Sequence, residues 1–487
     1  MILWGYALPG LIILLILLTP FQLRRYGRFL NILTLIHALI CITLTVFVMS
    51  SLSLPQYYLS SRYLFIDSLS IYEVLIASFV FLLAALYAQG YVRNLLRAGE
   101  INRENLKLFY GAFNLLLLVV VFAFFANNLA LFWILVELTT IISAILIVTL
   151  NAKENILAAL KYVFTASSAM LFSFIGILIV FAMTRLIQGI GTLNWNELMV
   201  QARILPSSLF TLAFVLMFVG FAAKAGIAPF HTWLPPAHAK APSVVSTLLS
   251  AVLLNVGVYG ILRIYAIANQ TASAKAVSIT LIAFGVITVG VAAFSMLSRE
   301  NIKKLIAFSS IEHMGVLIIG IGLGKPAVLS GVLLYIMGHS LIKSLLFFSA
   351  GILHRQFGSD KYYDMKNVLK VQPLAATGVI MGGTAIIGTP VFPLFFAKLS
   401  ILTGLGEFSK WLLFLVLLLI LIVAASFALF IVRTCCQESE ETPRPYQAPW
   451  NMKLPIVVLL VMIVALGLFI PQGLSGMLNN IVKSLGL

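Results

Sequence analysis

VLMFVGFAAKAGIAPFHTWLPPAHAK, residues 215–240, sets a lysine inside an apolar run and follows it with Gly226, Pro229, Pro235 and Pro236. A charge at mid-bilayer costs roughly 2.5–3.5 kcal/mol on insertion scales. Gly and Pro, in turn, free backbone groups that hydrocarbon cannot satisfy. A chain tolerates the two together only where a membrane helix breaks against a polar cavity or against packed protein. The whole sequence agrees with a membrane setting. Of 487 residues, 62% are hydrophobic and 9% charged, a composition that excludes a soluble globular domain.

Outward from this stretch, apolar runs long enough to cross a core of about 30 Å recur fourteen times, from 4–21 through 207–230, 242–267, 302–323, 327–352 and 372–404 to 453–471. The expected fold is an all-α membrane protein of about 14 transmembrane helices with breaks in the seventh and twelfth. Twenty of the 31 Lys and Arg fall in odd-numbered connections, beginning with Arg24, Arg25 and Arg28, and eight in even-numbered ones and the C-terminus. The positive-inside rule then puts the odd connections in the cytoplasm and both termini outside. The formal net charge of +16 is topology charge, since no basic patch with interleaved aromatics suggests nucleic acid. The N-terminus lacks a basic n-region and a cleavage site and is expected to be a retained first helix. The run from Gln437 to Pro449, with Glu438, Glu440 and Glu441, is expected to be a cytoplasmic loop.

Three basic residues fall inside spans: Lys224 in the seventh, Lys343 in the eleventh and Lys398 in the twelfth. Lys398, in GTAIIGTPVFPLFFAKLSIL (383–402), follows Gly388, Pro390 and Pro393. Two broken helices five spans apart, each with a lysine, are the pattern of an internal repeat with one site per half. Burial penalises the charged form of a lysine and suits it to loading and unloading protons. Glu137, in LFWILVELTT (131–140), is the natural partner of Lys224, either as a moving pair or as a static one that fixes packing. His339 and Lys343 stand four residues apart on one helical face. His231, His238, Glu312 and His313, nearer the cytoplasmic ends, and Lys161 are candidates for an access path or for interfacial hydrogen bonding. Glu73 and His37 are expected in packing or interface roles, and Asp67 as a helix cap. Cys41, Cys435 and Cys436 have no metal-ligand or disulfide spacing. With no P-loop, dinucleotide fingerprint or cofactor ligand set, the chain is expected to hold no cofactor and no metal and to draw energy from an ion gradient or a partner.

The segments LFWILVELTT, AALKYVFTASSA (158–169), KAGIAPFHTWLPPAHAKAPSVVSTLLS (224–250), NIKKLIAFSSIEHMGVLIIG (301–320), GHSLIKSLLFFSAG (338–351) and GTPVFPLFFAKLSIL (388–402) resemble the antiporter-like subunits of respiratory complex I, Mrp-type cation/proton antiporters and energy-converting membrane-bound [NiFe] hydrogenases, over roughly residues 60 to 430. SSIEHMG (309–315) is most similar to the hydrogenase and formate hydrogenlyase branch. The resemblance implies N-terminal helices over 1–108, two inverted five-helix bundles over 109–267 and 276–433, and a loop with a last helix over 434–487. It implies an acidic partner at Glu137, proton-handling lysines at Lys224 and Lys398, and a central connection at His339 and Lys343. Where many family members hold a bridging Lys or His, this sequence has Asn255, which implies a water-mediated link between Lys224 and the axis. A long lateral helix like that of the distal complex I subunit is not expected. The function implied is proton or sodium translocation in the inner membrane, as one subunit of a redox-driven complex with further antiporter-like and small membrane subunits and a peripheral redox arm. A multi-subunit Na+/H+ antiporter and a purely structural scaffold are the alternatives.

Overall fold

The computed structural model describes residues 2–20, 25–51, 56–150, 152–440 and 443–487; Arg24 and Glu441, used in the topology reading, lie outside the described residues. The chain begins with α1 (Ile2–Ala7), α2 (Gly10–Leu18) and α3 (Tyr26–Ser51), followed by an antiparallel hairpin of β1 (Gln56–Ser61) and β2 (Leu64–Asp67). Long helices α4 (Ser68–Arg97), α5 (Arg103–Phe124), α6 (Leu129–Val148) and α7 (Lys153–Gln188) come next, then a short α8 (Trp195–Gln201). The seventh span is α9 (Ser207–Ala225) with α10 (Leu234–Lys240), and the eighth is α11 (Ser243–Leu248) with α12 (Leu254–Asn269). Then follow α13 (Ala274–Met296), α14 (Ile302–Leu323), α15 (Pro326–Phe357) and the short α16 (Val368–Val371). The twelfth span is α17 (Pro373–Ile387) and α18 (Pro393–Phe408), succeeded by α19 (Lys410–Cys435), α20 (Trp450–Leu468) and α21 (Gln472–Ser484).

Among the described residues twelve helices are long and apolar enough to cross a membrane; with the shorter apolar Leu3–Leu18 and the α17/α18 pair they account for the fourteen expected spans. Polar caps mark where many of these helices enter: the side chains of Asp67, Asn102, Asn128, Asn301 and Ser409 each accept from a backbone N–H in the first turn that follows. The innermost layer is α11/α12, α14 and α15, enclosed almost completely by protein, while α3, α7, α19 and α20 turn apolar faces outward.

Both expected breaks are present. α9 ends on Gly226, whose φ of 74° is the left-handed conformation that glycine adopts without strain, and a 3-10 turn over Phe230–Trp233 leads into α10. α17 ends on Gly388 at φ 96°, and α18 restarts at Pro393. Three features were not anticipated. A π-helical segment, Leu249–Leu253, interrupts the eighth span. The hairpin sits where a bare connection was expected. The amphipathic α21 follows the last span and seats Leu478, Ile481 and Val482 in the protein.

Asp67 does more than cap α4. Its carboxylate receives Ser70 N at 2.8 Å and is clasped by Arg263 of α12, with Nη1 to Oδ2 at 2.7 Å and Nη2 to Oδ1 at 2.7 Å. Arg263, one of the eight basic residues counted in even-numbered connections and the C-terminus, is buried and also donates to the Tyr259 hydroxyl at 2.8 Å. This forked pair fastens the N-terminal helices to the enclosed layer. Removing one partner of such a pair strands a buried charge at a cost of about 3–5 kcal/mol, whereas replacing both by apolar groups is far milder. Asp67→Ala is therefore expected to lower the thermal melting point of the detergent-solubilised protein more than the double change Asp67→Leu with Arg263→Met; equal losses would show the pair to be incidental.

Candidate functional site

Lys224 lies in the last turn of α9, fully buried. Its Nζ donates to Thr140 Oγ1 at 2.8 Å and to the Tyr162 hydroxyl at 3.2 Å. Tyr162 in turn meets Ser143 Oγ at 3.0 Å and stacks on Trp233 with ring centroids 4.2 Å apart. The break itself makes this arrangement, because Trp233 reaches it through the 3-10 turn and its indole donates to the carbonyl of Ala223 at 2.9 Å. Glu137 is half-buried one turn before Thr140 on α6 and accepts from the Ser167 hydroxyl. It makes no ion pair with Lys224 among the described residues; a hydroxyl one turn further along holds the lysine instead.

The second lysine has a carboxylate beside it. Lys398 Nζ lies 3.4 Å from Glu312 Oε1 of α14 and 3.4 Å from the carbonyl of Ile387, the residue at which α17 stops. Glu312 Oε2 lies 3.2 Å from Nδ1 of His313, which is hydrogen-bonded to the Tyr335 hydroxyl of α15. The His313 ring faces that of His339 at a centroid distance of 5.6 Å. Glu312 and His313 were expected nearer a membrane surface. They stand instead at the middle of α14, about 15 Å along a helix that starts at the Asn301 cap.

From His339 the polar groups continue along α15. Lys343 Nζ donates to the carbonyl of Ile306 at 2.8 Å and to Ser309 Oγ at 2.5 Å. Ser340 Oγ donates to the Ala251 carbonyl at 2.7 Å, inside the π-helical segment, and receives Asn255 Nδ2 at 2.9 Å. Ser250, also in that segment, meets Ser310 of α14 at 2.9 Å. A π-segment exposes carbonyls sideways, and such segments recur at functional sites. Among the described residues both ring nitrogens of His339 and of His238, and Oδ1 of Asn255, are buried without a hydrogen-bond partner. His238 is deep rather than terminal, stacked on Phe347 at 4.9 Å, because α10 folds inward beneath the break. His231 does lie at a rim, lining a cavity of about 260 Å³ with Arg299 and Lys304. Lys161 is exposed on α7 and joins neither cluster.

Sequence reasoning brought out the lysines and His339 but not the hydroxyls that hold the lysines, Thr140, Tyr162 and Ser309, nor Ser340, which holds Asn255, nor Tyr335. Thr140, Tyr162, Ser309 and Ser340 stood in segments already singled out, and only their closeness in sequence to a charged residue, Glu137, Lys161, Glu312 and Lys343 in turn, marked them. Gly257 was also missed. A Cβ there would lie 2.6 Å from the backbone N of Ala225 and 2.8 Å from the Phe221 carbonyl, so its absence lets α12 press against α9 beside Lys224, two residues from Asn255.

Known proteins share this chain's family and fold. Residues 126–427 match the profile described as NADH:quinone oxidoreductase/Mrp antiporter, transmembrane. The chain belongs to that family. Within it, the chain is similar to a hydrogenase-4 component F homolog of Methylacidiphilum infernorum, 29% identical over 83% of this chain and 85% of the relative. It is similar as well to chloroplastic NAD(P)H-quinone oxidoreductase chain 4 of Phaseolus vulgaris, 31% identical over 75% of this chain and 70% of that one. Two solved structures share the fold. An archaeal membrane-bound sulfane sulfur reductase superposes with TM-score 0.88 at 22% identity, covering 99% and 97% of the two chains. The Mrp complex of Dietzia superposes with TM-score 0.82 at 18% identity, covering 99% and 98%. The protein is thus an antiporter-like, multi-pass membrane subunit, and its two interrupted spans stand within the matched region.

The contact at Gly257 yields a test of the site's construction. Gly257→Ala is expected to cost about 1–3 kcal/mol by overpacking, seen as a lower melting point in detergent, while Gly473→Ala, where a Cβ meets open space, is expected to leave it unchanged.

Proposed function

We propose that this chain carries protons across the cell's inner membrane along a row of buried side chains, as one ion-translocating subunit of a redox-driven complex of the membrane-bound hydrogenase or related NADH dehydrogenase-like kind. The observation that carries the reading is the enclosed sequence of contacts from Lys398 through Glu312 and His313 to His339, with Lys343 one turn along the same helix, all buried. Ionisable groups at membrane depth face the bundle interior and mark ion paths. Lys224 and Glu137 supply the first half of the path and Lys398 the terminus of the second, with spans four to eight (109–267) and nine to thirteen (276–433) as the two repeats. Asn255 joins Lys224 to the axis through water, since its amide can pass hydrogen bonds but not hold the proton. His231, with His238 behind it, is the access point from the side that the Lys and Arg balance assigns to the cytoplasm, which leaves both termini outside.

Charge pairing gives the cycle its direction of coupling. A carboxylate close to a lysine stabilises the ammonium, and withdrawing it favours release. In the described conformation Lys398 has its carboxylate at hand and Lys224 has only hydroxyls, so the halves stand in different states of pairing. Protons suit this donor set better than sodium, which asks for a cage of carboxylate and carbonyl oxygens; around Glu312 the neighbours are an ammonium and an imidazole. The chain holds no cofactor in this reading, and its driving partners are the redox arm and further membrane subunits. The likeness to the Mrp complex keeps a multi-subunit Na+/H+ antiporter as the second reading.

The test is ion pumping in inverted vesicles containing the whole complex. Lys224→Ala and Lys398→Ala are expected to abolish the pH gradient formed per redox turnover, with Glu312→Gln lowering it, while electron transfer persists or slows. A gradient per turnover equal to wild type in both lysine variants makes the chain a scaffold. Dissipation by a sodium ionophore and not by a protonophore assigns the ion as sodium.

A further inference from the structure

At one end of the bundle, away from the lysine axis, a cavity of about 750 Å³ is lined by Arg25, Arg28, Arg93 and Arg103 together with Tyr26 and Asn451. Four helices meet there by their ends: α3 begins beside Arg25 and Arg28, α4 finishes just beyond Arg93, α5 starts at Arg103 and α20 starts beside Asn451. Helix ends of membrane spans lie at headgroup depth. Among the described residues no Asp or Glu lines the cavity and no carboxylate pairs with Arg25, Arg28 or Arg93. Other cations near the same ends of the spans are neutralised: Lys303 by Asp360, Arg355 by Glu100, Lys370 by Glu438 and Lys240 by Glu154. Topology charge alone explains arginines at this level but not the convergence of Arg25, Arg28 and Arg93 on one cavity without a carboxylate among the described residues.

We propose that this cavity is a binding site for the phosphodiester headgroup of an anionic phospholipid. Guanidinium groups bind phosphate oxygens through forked pairs of N–H donors, and basic cavities between membrane helices are suited to anionic headgroups. The surface beside the cavity accommodates the rest of the molecule. Arg28 and Ile32 are one turn apart on α3, and the exposed apolar face continues through Ile36 and Leu39 toward the bilayer centre. A phosphate held at Arg28 and Arg93 thus has an acyl-chain track directly beneath it. A free phosphate does not use that track, and an acidic protein segment would have to leave water to reach this depth. The proposal rests on the membrane placement of the chain and not on proton translocation, so failure of the pumping experiment leaves it standing.

The experiment is lipid rebinding to the delipidated, purified complex carrying the full chain, read by native mass spectrometry and by melting point. The probes are phosphatidylglycerol, phosphatidylcholine and inorganic phosphate. Phosphatidylglycerol is expected to bind and raise the melting point, and phosphatidylcholine to do neither. Arg28→Gln and Arg93→Gln are each expected to weaken phosphatidylglycerol about fivefold, the effect of one charge near an anionic headgroup. Arg28→Lys with Arg93→Lys keeps the charge and most of the binding, and so separates loss of the site from loss of the fold. Binding of phosphatidylglycerol to the double Gln variant at wild-type strength overturns the proposal, as does equal binding of phosphatidylcholine. Full stabilisation by inorganic phosphate alone reassigns the site to the free ion and overturns the lipid.

Discussion

In hydrocarbon a backbone N–H or C=O without a partner costs several kcal/mol, and the two interruptions of the helical ladder, at Gly226 and at Gly388, are where this chain meets that constraint. At each break a backbone carbonyl is met by a group that belongs to the site. The Ala223 carbonyl, which accepts Gly226 N–H at 3.2 Å, also receives the indole of Trp233, which stacks on the tyrosine that receives Lys224. The Ile387 carbonyl lies 3.4 Å from the ammonium of Lys398. Each break therefore helps create the polar environment in which a lysine can be buried. The lysine, or the aromatic that supports its partner, in turn satisfies the broken ladder.

The same logic extends to the eighth span. Its π-helical segment redirects the Ala251 carbonyl to Ser340 and sets Ser250 against Ser310, so α11/α12 is tied to α14 and α15 by side-chain hydrogen bonds at membrane depth. Hydroxyl ladders of this kind hold the two charged clusters in register without adding a charge of their own. Gly257 makes the complementary contact, allowing α12 to lie against α9 where Lys224 ends its helix.

The parts of this arrangement that were legible in the sequence share one property, which is that they break a local rule. A lysine in an apolar run, a proline inside a span and a histidine four residues from a lysine are each improbable by themselves, and so Lys224, Lys398, His339 and Lys343 stood out. The pairing was not legible. Glu137 was matched to Lys224 because it was the acidic residue deep in that half of the sequence, but the distance between two helices is set by packing, and Thr140, which conforms to every local rule, took the contact. Glu312 was placed too near a surface, although it stands at the middle of α14. Arg263 was counted among the connection charges, its partner Asp67 being 196 residues away in sequence and at the end of another span.

The two lysines differ in a way that bears on how such a subunit responds to its neighbours. Lys398 and Glu312 together carry no net charge, so a field arriving from an adjacent subunit acts on them chiefly by separating them. Lys224 is held by two neutral hydroxyls, with Glu137 bonded to Ser167 on the flanking helix α7. When charged, it interacts with that field directly, and its rotation toward Glu137 needs only the exchange of one hydroxyl for a carboxylate one turn away. In the proposed reading the half built on hydroxyls is the more easily switched and the half built on an ion pair the more firmly held. A bundle of that kind, joined through Asn255 and the His339 axis as proposed, would pass a change of state from one end to the other as a re-pairing of charges, without requiring any helix to travel.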